Sequence, residues 1–178
     1  MTYAVNLYFN QEAENYIINI WRQLTALEKG KCLICCNSRP HITLAIYEGI
    51  DLEETQKRLK AFARNIHSFH LQFLQIGIFP QPKGAIFLTP NLTDELFKVH
   101  RDFHQAFMDY QGQGWDYYKP NAWYPHCTLA LETPLEAIPC VLGEILKVFQ
   151  PMEVCVESIG MASLDPIKYL MELQLKKE

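Results

Sequence analysis

Residues 40–45 read Pro-His-Ile-Thr-Leu-Ala, and residues 125–130 read Pro-His-Cys-Thr-Leu-Ala. The second histidine follows the first by 126 − 41 = 85 residues. The probability that Pro-His-x-Thr-Leu arises by chance at two of the six histidines is on the order of one in a million. The pattern therefore indicates an internal repeat, which determines how the rest of the chain is divided.

The segments around the two copies follow the same order. Helices are indicated by apolar residues at three- and four-residue steps, such as Leu92, Leu96 and Val99. Before each copy we predict a strand and a helix, at 4–9 and 11–27, and at 85–89 and 92–110. After each copy we predict a helix and a strand, at 52–65 and 74–79, and at 135–149 and 157–162. Strands at 85–89 and 169–175 close the two halves.

This order predicts an α+β fold rather than one long parallel sheet. We expect two similar lobes related by a pseudo-two-fold axis, each an antiparallel-rich sheet with helices outside. The repeat units span approximately 4–80 and 84–175 of a single two-lobed domain, residues 1–178. The axis would bring the two histidines face to face across a cleft between the lobes.

Each copy of the motif offers an imidazole and a hydroxyl on one face of a strand. Side chains at i and i+2 point to the same side, so His41 lies beside Thr43 and His126 beside Thr128. Ala45 and Ala130 are expected to continue the same face as a low floor. An imidazole exchanges a proton near neutral pH, and a hydroxyl donates a hydrogen bond to a phosphate oxygen.

A single His-x-Thr on a strand is usually only a cross-strand polar pair. A buried strand has little reason to keep an ionisable histidine in both copies of a repeat, so the repetition favours function. We predict His41 and His126 as catalytic residues and Thr43 and Thr128 as phosphate-binding residues.

Composition limits the class of partner. The chain carries a net charge of −4, and no basic face for long duplex nucleic acid is evident. No apolar run approaches the length of a membrane span. The first ten residues lack the basic and apolar regions of a signal peptide, and we expect a cytoplasmic monomer.

Six cysteines without a secretory signal favour free thiols. Cys32, Cys35 and Cys36 lie in a C-x-x-C context, which is also compatible with a redox pair or half a zinc site. Since a structural zinc site needs four ligands in paired spacings, we interpret the segment as a short cysteine-rich strand. His100 and His104 stand four apart on a predicted helix and are interpreted as residues at the edge of the core rather than a metal pair.

Other residues near the motifs are candidates for substrate binding. Arg39, Lys83 and Lys119 could add positive charge to the cleft, or they could be solvated loop charges. Five aromatic residues precede His126 and could stack a nucleobase or pack the loop: Trp115, Tyr117, Tyr118, Trp123 and Tyr124. We select Arg39, Lys83, Tyr118 and Trp123 as candidate substrate contacts.

The twin motifs resemble those of the two-histidine phosphoesterase superfamily. That group includes bacterial 2′-5′ RNA ligase-like proteins and cyclic nucleotide phosphodiesterases, and the resemblance spans nearly the whole chain. It implies a two-lobed α+β fold with a central cleft, no metal and no cofactor, and catalysis by paired histidines with threonines holding phosphate. It does not specify the substrate, which is expected to be a nucleotide or an RNA end.

The chemistry that such a pair performs is an in-line displacement at phosphorus. One histidine removes a proton from the attacking water or hydroxyl, and the other protonates the leaving sugar oxygen. Opening a 2′,3′-cyclic phosphate, cleaving a 2′-5′ linkage and the reverse ligation all fit this scheme. Two alternatives stay open, a nucleotide-binding module without turnover and a metalloprotein that uses histidines and cysteines.

Overall fold

A computed structural model describes residues 1–177. It contains seven strands and four α-helices in the predicted order. They are β1 Thr2–Phe9, α1 Gln11–Thr25, β2 Ile42–Glu48, α2 Leu52–Ala63, β3 Phe69–Phe79, β4 Lys83–Pro90, α3 Asp94–Ala106, β5 Cys127–Pro134, α4 Ile138–Val148, β6 Met152–Leu164 and β7 Ile167–Gln174. The predicted helix at 92–110 is shorter, because Met108–Tyr110 forms a separate 3₁₀ turn.

Capping residues fix where two of these helices begin. The Asp51 side chain accepts a hydrogen bond from the Glu54 N–H at 2.8 Å, and Thr93 Oγ1 accepts one from the Leu96 N–H at 3.2 Å. Each cap satisfies a backbone donor that has no partner inside the helix. Among the residues described, no helix has the length and hydropathy needed to cross a membrane.

The strands form one antiparallel ladder in the order β2-β1-β6-β3-β4-β5, and β7 pairs with β6. Strand β6 joins the two lobes. Its residues 152–156 pair with β3, residues 156–163 pair with β1, and residues 158–164 pair with β7. One lobe therefore contains β2, β1, β6 and β7, and the other contains β5, β4 and β3. The predicted two-lobed α+β fold is confirmed, with the two sheets continuous through β6.

Both motif strands, β2 and β5, are edge strands of this ladder. Each leads its histidine and threonine from a loop into the cleft between the lobes. Helix α1 packs against α4 and β5, while α2 packs against α3 and β7. The helices bury the apolar face of the sheet, including Leu44, Leu88 and Leu129.

A β-bulge follows the threonine in each motif strand. Leu44 is the extra residue in β2, since Asn6 pairs with Thr43 but Val5 pairs with Ala45. Leu129 is the extra residue in β5, since Phe87 pairs with Thr128 but Ile86 pairs with Ala130. A bulge shifts the alternation of side chains by one residue. The predicted alanine floor is therefore wrong, and Ile46 and Leu131 line the cleft in place of Ala45 and Ala130.

The cysteine-rich segment is a turn rather than the predicted strand. Backbone hydrogen bonds run from the Cys36 N–H to the Cys32 carbonyl and from the Asn37 N–H to the Ile34 carbonyl. The turn brings the α-carbons of Cys32 and Cys35 to 5.2 Å, within the range that a disulfide requires, and the two sulfurs are bonded. The prediction of free thiols is thus wrong for this pair and holds for Cys36, Cys127 and Cys140.

Candidate active site

The cleft between the lobes has a volume of about 780 Å³ and contains both motifs. His41 and Thr43 line it from one lobe, and His126 and Thr128 line it from the other. The motif strands β2 and β5 begin close together. This is shown by the buried Cys127 thiol, which lies within hydrogen-bonding reach of the His41 backbone. The fold thus brings together residues that are 85 positions apart in sequence.

Both imidazoles are oriented in the same way. His41 Nδ1 lies 2.5 Å from the Arg39 carbonyl oxygen, and His126 Nδ1 lies 2.6 Å from the Tyr124 carbonyl oxygen. Because a carbonyl oxygen can only accept, each Nδ1 carries the proton and donates it. Nε2 of each ring is therefore the nitrogen that is available to a ligand in the cleft.

The pKa values of both histidines are lowered from 6.5. Burial is the largest cause for each, since it disfavours the charged imidazolium. The backbone hydrogen bonds to Nδ1 oppose this shift, and the charge of His126 adds to the lowering of the His41 pKa. The site thus favours the neutral form of both rings before a phosphate binds.

An aromatic ring lies behind each histidine, above a glycine of a long strand. Phe87 packs against His126 with ring centroids 5.1 Å apart, and Tyr8 against His41 at 6.3 Å. A Cβ at Gly77 would lie 2.3 Å from Phe87 Cε2, and one at Gly160 would lie 2.8 Å from Tyr8 Cε2. Only glycine leaves room for these rings, so the two glycines position the residues that support the histidines.

Side chains from outside the sheet satisfy the free carbonyls of the edge strands. Trp21 Nε1 donates to the Thr128 carbonyl at 3.1 Å, and Trp123 Nε1 donates to the Thr43 carbonyl at 2.9 Å. His104 Nε2 donates to the Leu44 carbonyl at 3.2 Å. Each lobe's motif strand is therefore held at the threonine by an indole from elsewhere in the chain.

This arrangement makes Trp123 a structural residue. Its ring is 9% exposed and stacks on His100, with centroids 3.8 Å apart and planes 5° apart. The structure therefore does not support the prediction that Trp123 contacts the substrate. His100 Nε2 donates to the Tyr118 carbonyl at 2.8 Å, so His100 and His104 serve the core, as predicted.

Arg39 also differs from its prediction. Its Nε contacts Glu14 Oε1 at 2.8 Å, a second nitrogen contacts Glu172 Oε2 at 2.7 Å, and the guanidinium lies over the Tyr8 ring. Burial raises the pKa of Glu14 despite this ion pair, whereas at Glu172 the hydrogen bonds of Arg39 and Ser158 outweigh burial and lower the pKa. Arg39 is absent from the cleft lining and anchors the loop whose carbonyl orients His41.

Of the remaining candidates, some line the cleft and one forms an ion pair elsewhere. Lys83 and Tyr118 line the cleft. Burial raises the pKa of Tyr118 although its hydroxyl hydrogen-bonds the Thr43 side chain. Lys119 is paired with Asp116 at 2.7 Å instead.

Further cleft residues were not selected from the sequence. Lys31, Trp115 and Tyr117 line the cleft, as do Phe79 and Gln81. Trp115 and Tyr117 stood among the aromatic candidates, but nothing in the sequence separated them from the buried Trp123. No sequence pattern marks Lys31 as a cleft residue, because its position depends on a β-bridge to Leu131, which is far away in the sequence. Gly77 and Gly160 could have been recognised from the sequence, since each follows an isoleucine at an equivalent position of the two repeat units.

No group of three histidine, cysteine, aspartate or glutamate side chains that could hold a metal occurs within residues 1–177. What converges in the cleft is two imidazoles, two threonine hydroxyls and two lysines. This set can transfer protons and hold an anion.

Solved structures share this fold. LigT of E. coli complexed with 3′-AMP superposes with a TM-score of 0.65 over 97% of this chain and 97% of its own, at 16% identity. TT0787 of Thermus thermophilus gives a TM-score of 0.66 over 100% of both chains, at 14% identity. A structure described as a phosphoesterase gives 0.64 over 98% and 97%, at 16% identity. No curated protein sequence matches the chain.

The sequence itself matches a family model. The model describes the 2′-5′ RNA ligase superfamily, and the match covers residues 18–166, most of the chain and both histidine motifs. The chain therefore belongs to the 2′-5′ RNA ligase superfamily.

Proposed function

We propose that the protein is a phosphoesterase that acts on a 2′,3′-cyclic phosphate or a 2′-5′ phosphodiester of a nucleotide or RNA end. One observation carries this proposal: two His-Thr pairs on opposing edge strands face one cleft, each imidazole with its Nδ1 committed to a backbone carbonyl. The neighbouring E. coli LigT has been solved with 3′-AMP, which supports a nucleotide ligand.

The geometry suits proton transfer on both sides of a phosphorus atom. In the hydrolysis of a cyclic phosphate, Nε2 of one histidine takes a proton from water while the water oxygen bonds to phosphorus. The bond from phosphorus to the 2′ oxygen breaks, and Nε2–H of the other histidine gives that oxygen its proton. Each proton transfer contributes about 10²–10⁴ in rate. Ligation is the same reaction with a 5′-hydroxyl as the nucleophile.

The threonine hydroxyls complete the site in this proposal. Thr43 and Thr128 donate to the non-bridging phosphate oxygens and stabilise the charge that develops on them. The substrate is a short end rather than a duplex, because the chain has a net charge of −4 and, within the described residues, only Lys31 and Lys83 among the lysines and arginines line the cleft. No step in this scheme requires a metal.

An activity panel tests the proposal. EDTA-treated protein is assayed against a 2′,3′-cyclic nucleotide, a 2′-5′ dinucleotide and a 3′-5′ dinucleotide, beside His41→Ala, His126→Ala and the control His70→Ala, which removes an exposed histidine of β3. We expect turnover of at least one of the first two, retained in the control and lost in the motif variants. Nucleotide binding without turnover would favour the binding module, and activity that needs added zinc would favour the metalloprotein.

A further inference from the structure

The cleft has two ends that are equivalent by the repeat. Ile46 and Leu131 line these ends and are 131 − 46 = 85 residues apart, the same offset as the two histidines. A backbone N–H from elsewhere in the chain donates to the carbonyl of each. Trp115 N–H donates to the Ile46 carbonyl at 2.9 Å, and Lys31 N–H donates to the Leu131 carbonyl at 2.8 Å. Equivalent positions thus hold an indole at one end and an ammonium at the other.

The neighbours of these two residues extend the asymmetry. The indole end continues with Tyr117, whose ring is 80% exposed, and with the apolar Leu164 and Ile167. The ammonium end continues with Lys83, which begins β4 opposite Pro134. Trp115 is held in place by its own hydrogen bond, from Nε1 to Glu48 Oε1 at 2.8 Å.

The lysine side chains that line the cleft are not balanced by acidic side chains. Lys31 and Lys83 are the only lysine or arginine residues that line the cleft, and none of the chain's 20 aspartates and glutamates lines it within the described residues. Lys83 has no ion-pair partner among residues 1–177, and Lys31 has only a half-exposed contact with Glu132 at 3.3 Å. Such exposed pairs are weak, so an anionic ligand can compete for this lysine.

The spacing matches a second phosphoryl group rather than the reacting one. Lys83 lies four residues along β4 from Phe87, which pairs with Thr128, and this is about 13 Å at roughly 3.3 Å per residue. A lysine side chain spans part of that distance towards the histidines. A lysine at this position is therefore suited to bind a phosphoryl group next to the reacting one rather than the reacting phosphate itself.

We propose that the cleft binds its substrate in one direction, with the base at Trp115 and Tyr117 and a second phosphoryl group at Lys31 and Lys83. This inference rests on the proposed function and specifies the substrate class. The preferred substrate is a nucleotide with a 5′-phosphoryl group, such as the terminal residue of an RNA chain, rather than a nucleoside 2′,3′-cyclic phosphate alone.

Binding measurements test this direction independently of turnover. Calorimetry compares the Kd of adenosine 3′-monophosphate with that of adenosine 3′,5′-bisphosphate for the wild type, for Lys31→Met/Lys83→Met, and for the control Lys60→Met on the exposed face of α2. We expect the bisphosphate to bind roughly tenfold or more tightly, since a hydrogen bond to a charged group is worth about 1.5–3 kcal/mol. The double lysine variant should bring the ratio close to one, whereas the control should keep it.

The base end has its own variant. Tyr117→Ala should weaken both ligands by roughly fivefold or more without changing their ratio, because losing one stacking contact costs about 1–3 kcal/mol. Equal affinities in the wild type, or a ratio that survives the loss of both lysines, would overturn the phosphate end. Unchanged affinities in Tyr117→Ala would overturn the base end. Turnover assays with adenosine 2′,3′-cyclic phosphate, its 5′-phosphorylated form and a 2′-5′ dinucleotide separate the two proposals. No turnover of any of the three would contradict the proposed function, whereas the binding ratios test the direction of binding by themselves.

Discussion

At the scale of single residues, the hydrogen bonds at Nδ1 define the site. Each histidine donates to the carbonyl two residues before it, from Arg39 and from Tyr124. The loop preceding each strand thereby fixes both the tautomer and the direction of the ring. A proline directly before each histidine holds that loop in an extended path. Sequence and structure agree here, because the proline, the histidine and the threonine of each copy lie within four consecutive residues.

The threonines can be tested one hydroxyl at a time. Thr43→Val and Thr128→Val keep the β-branched shape and remove the donor. If the hydroxyls hold phosphate, each variant should lose a factor of roughly ten or more in kcat/KM, since such a hydrogen bond is worth about 1.5–3 kcal/mol. Thr89→Val, at a half-buried position on β4, is the matched control. The measurement is kcat/KM by steady-state kinetics for all three variants. Wild-type values in both motif variants would show that the hydroxyls do not bind the phosphate.

The lowered pKa values of the histidines predict the pH dependence. The reaction needs one imidazole neutral and one protonated, and burial lowers the pKa of both in the free protein below 6.5. Protonation of the acid partner is therefore lost as the pH rises towards neutrality. We expect a bell-shaped profile of kcat/KM with its maximum below about pH 6.5, whose limbs belong to the coupled pair.

Bound phosphate should change that profile in a defined direction. Its negative charge favours the imidazolium, so the maximum of kcat should lie at a higher pH than the maximum of kcat/KM. Rates measured from about pH 4.5 to 9 in EDTA supply both profiles. A rate that rises to a plateau at high pH would contradict two-histidine acid–base chemistry.

At the scale of elements, edge strands explain much of the site. Strands β2 and β5 end the ladder, so part of their backbone has no strand partner. Trp21, Trp123 and His104 donate to those carbonyls. The sequence predicted the strands and the helices from their periodicity. It could not predict these contacts, because each joins residues that are at least 60 positions apart.

Removing either indole donor should destabilise the protein. Trp21→Phe and Trp123→Phe each leave a motif carbonyl without its partner, which costs about 1–3 kcal/mol. Trp115→Phe loses a hydrogen bond to the exposed Glu48 and serves as the control, with an expected cost below about 1 kcal/mol. Urea denaturation gives the free energy of unfolding for each variant. Equal costs in all three would show that the carbonyl contacts carry no special weight.

The bulges show a second limit of the sequence pattern. Strict alternation from His41 or His126 predicts alanine on the cleft face, but the extra residues Leu44 and Leu129 reverse the alternation. A bulge is set by pairing with the neighbouring strand and leaves no local mark in these sequences. The histidine and threonine precede the bulge in each strand, so their predicted placement in the cleft was unaffected.

At the scale of the whole molecule, the repeat is what the sequence determined best. Two copies of one motif predicted two lobes, their order of elements and a shared cleft. The repeat did not predict the differences between the lobes, because residues at equivalent positions of the two repeat units were expected to have the same role. Arg39, which was predicted to contact the substrate, forms ion pairs instead. Lys31 lies in the cleft because a β-bridge joins it to Leu131 in the other half of the sequence. Such placements depend on contacts between residues of the two halves of the sequence and cannot be predicted from either half alone.

The double-variant comparison tests most directly whether the two lobes act as one site. Each lobe contributes one histidine, and kcat/KM is measured for His41→Ala, His126→Ala and the double variant on the best substrate of the panel. If both histidines act in one step, each single variant loses most of the activity and the double variant loses little more than the worse single one. Circular dichroism should show all three folded. Losses that multiply, or full activity in either single variant, would contradict the account.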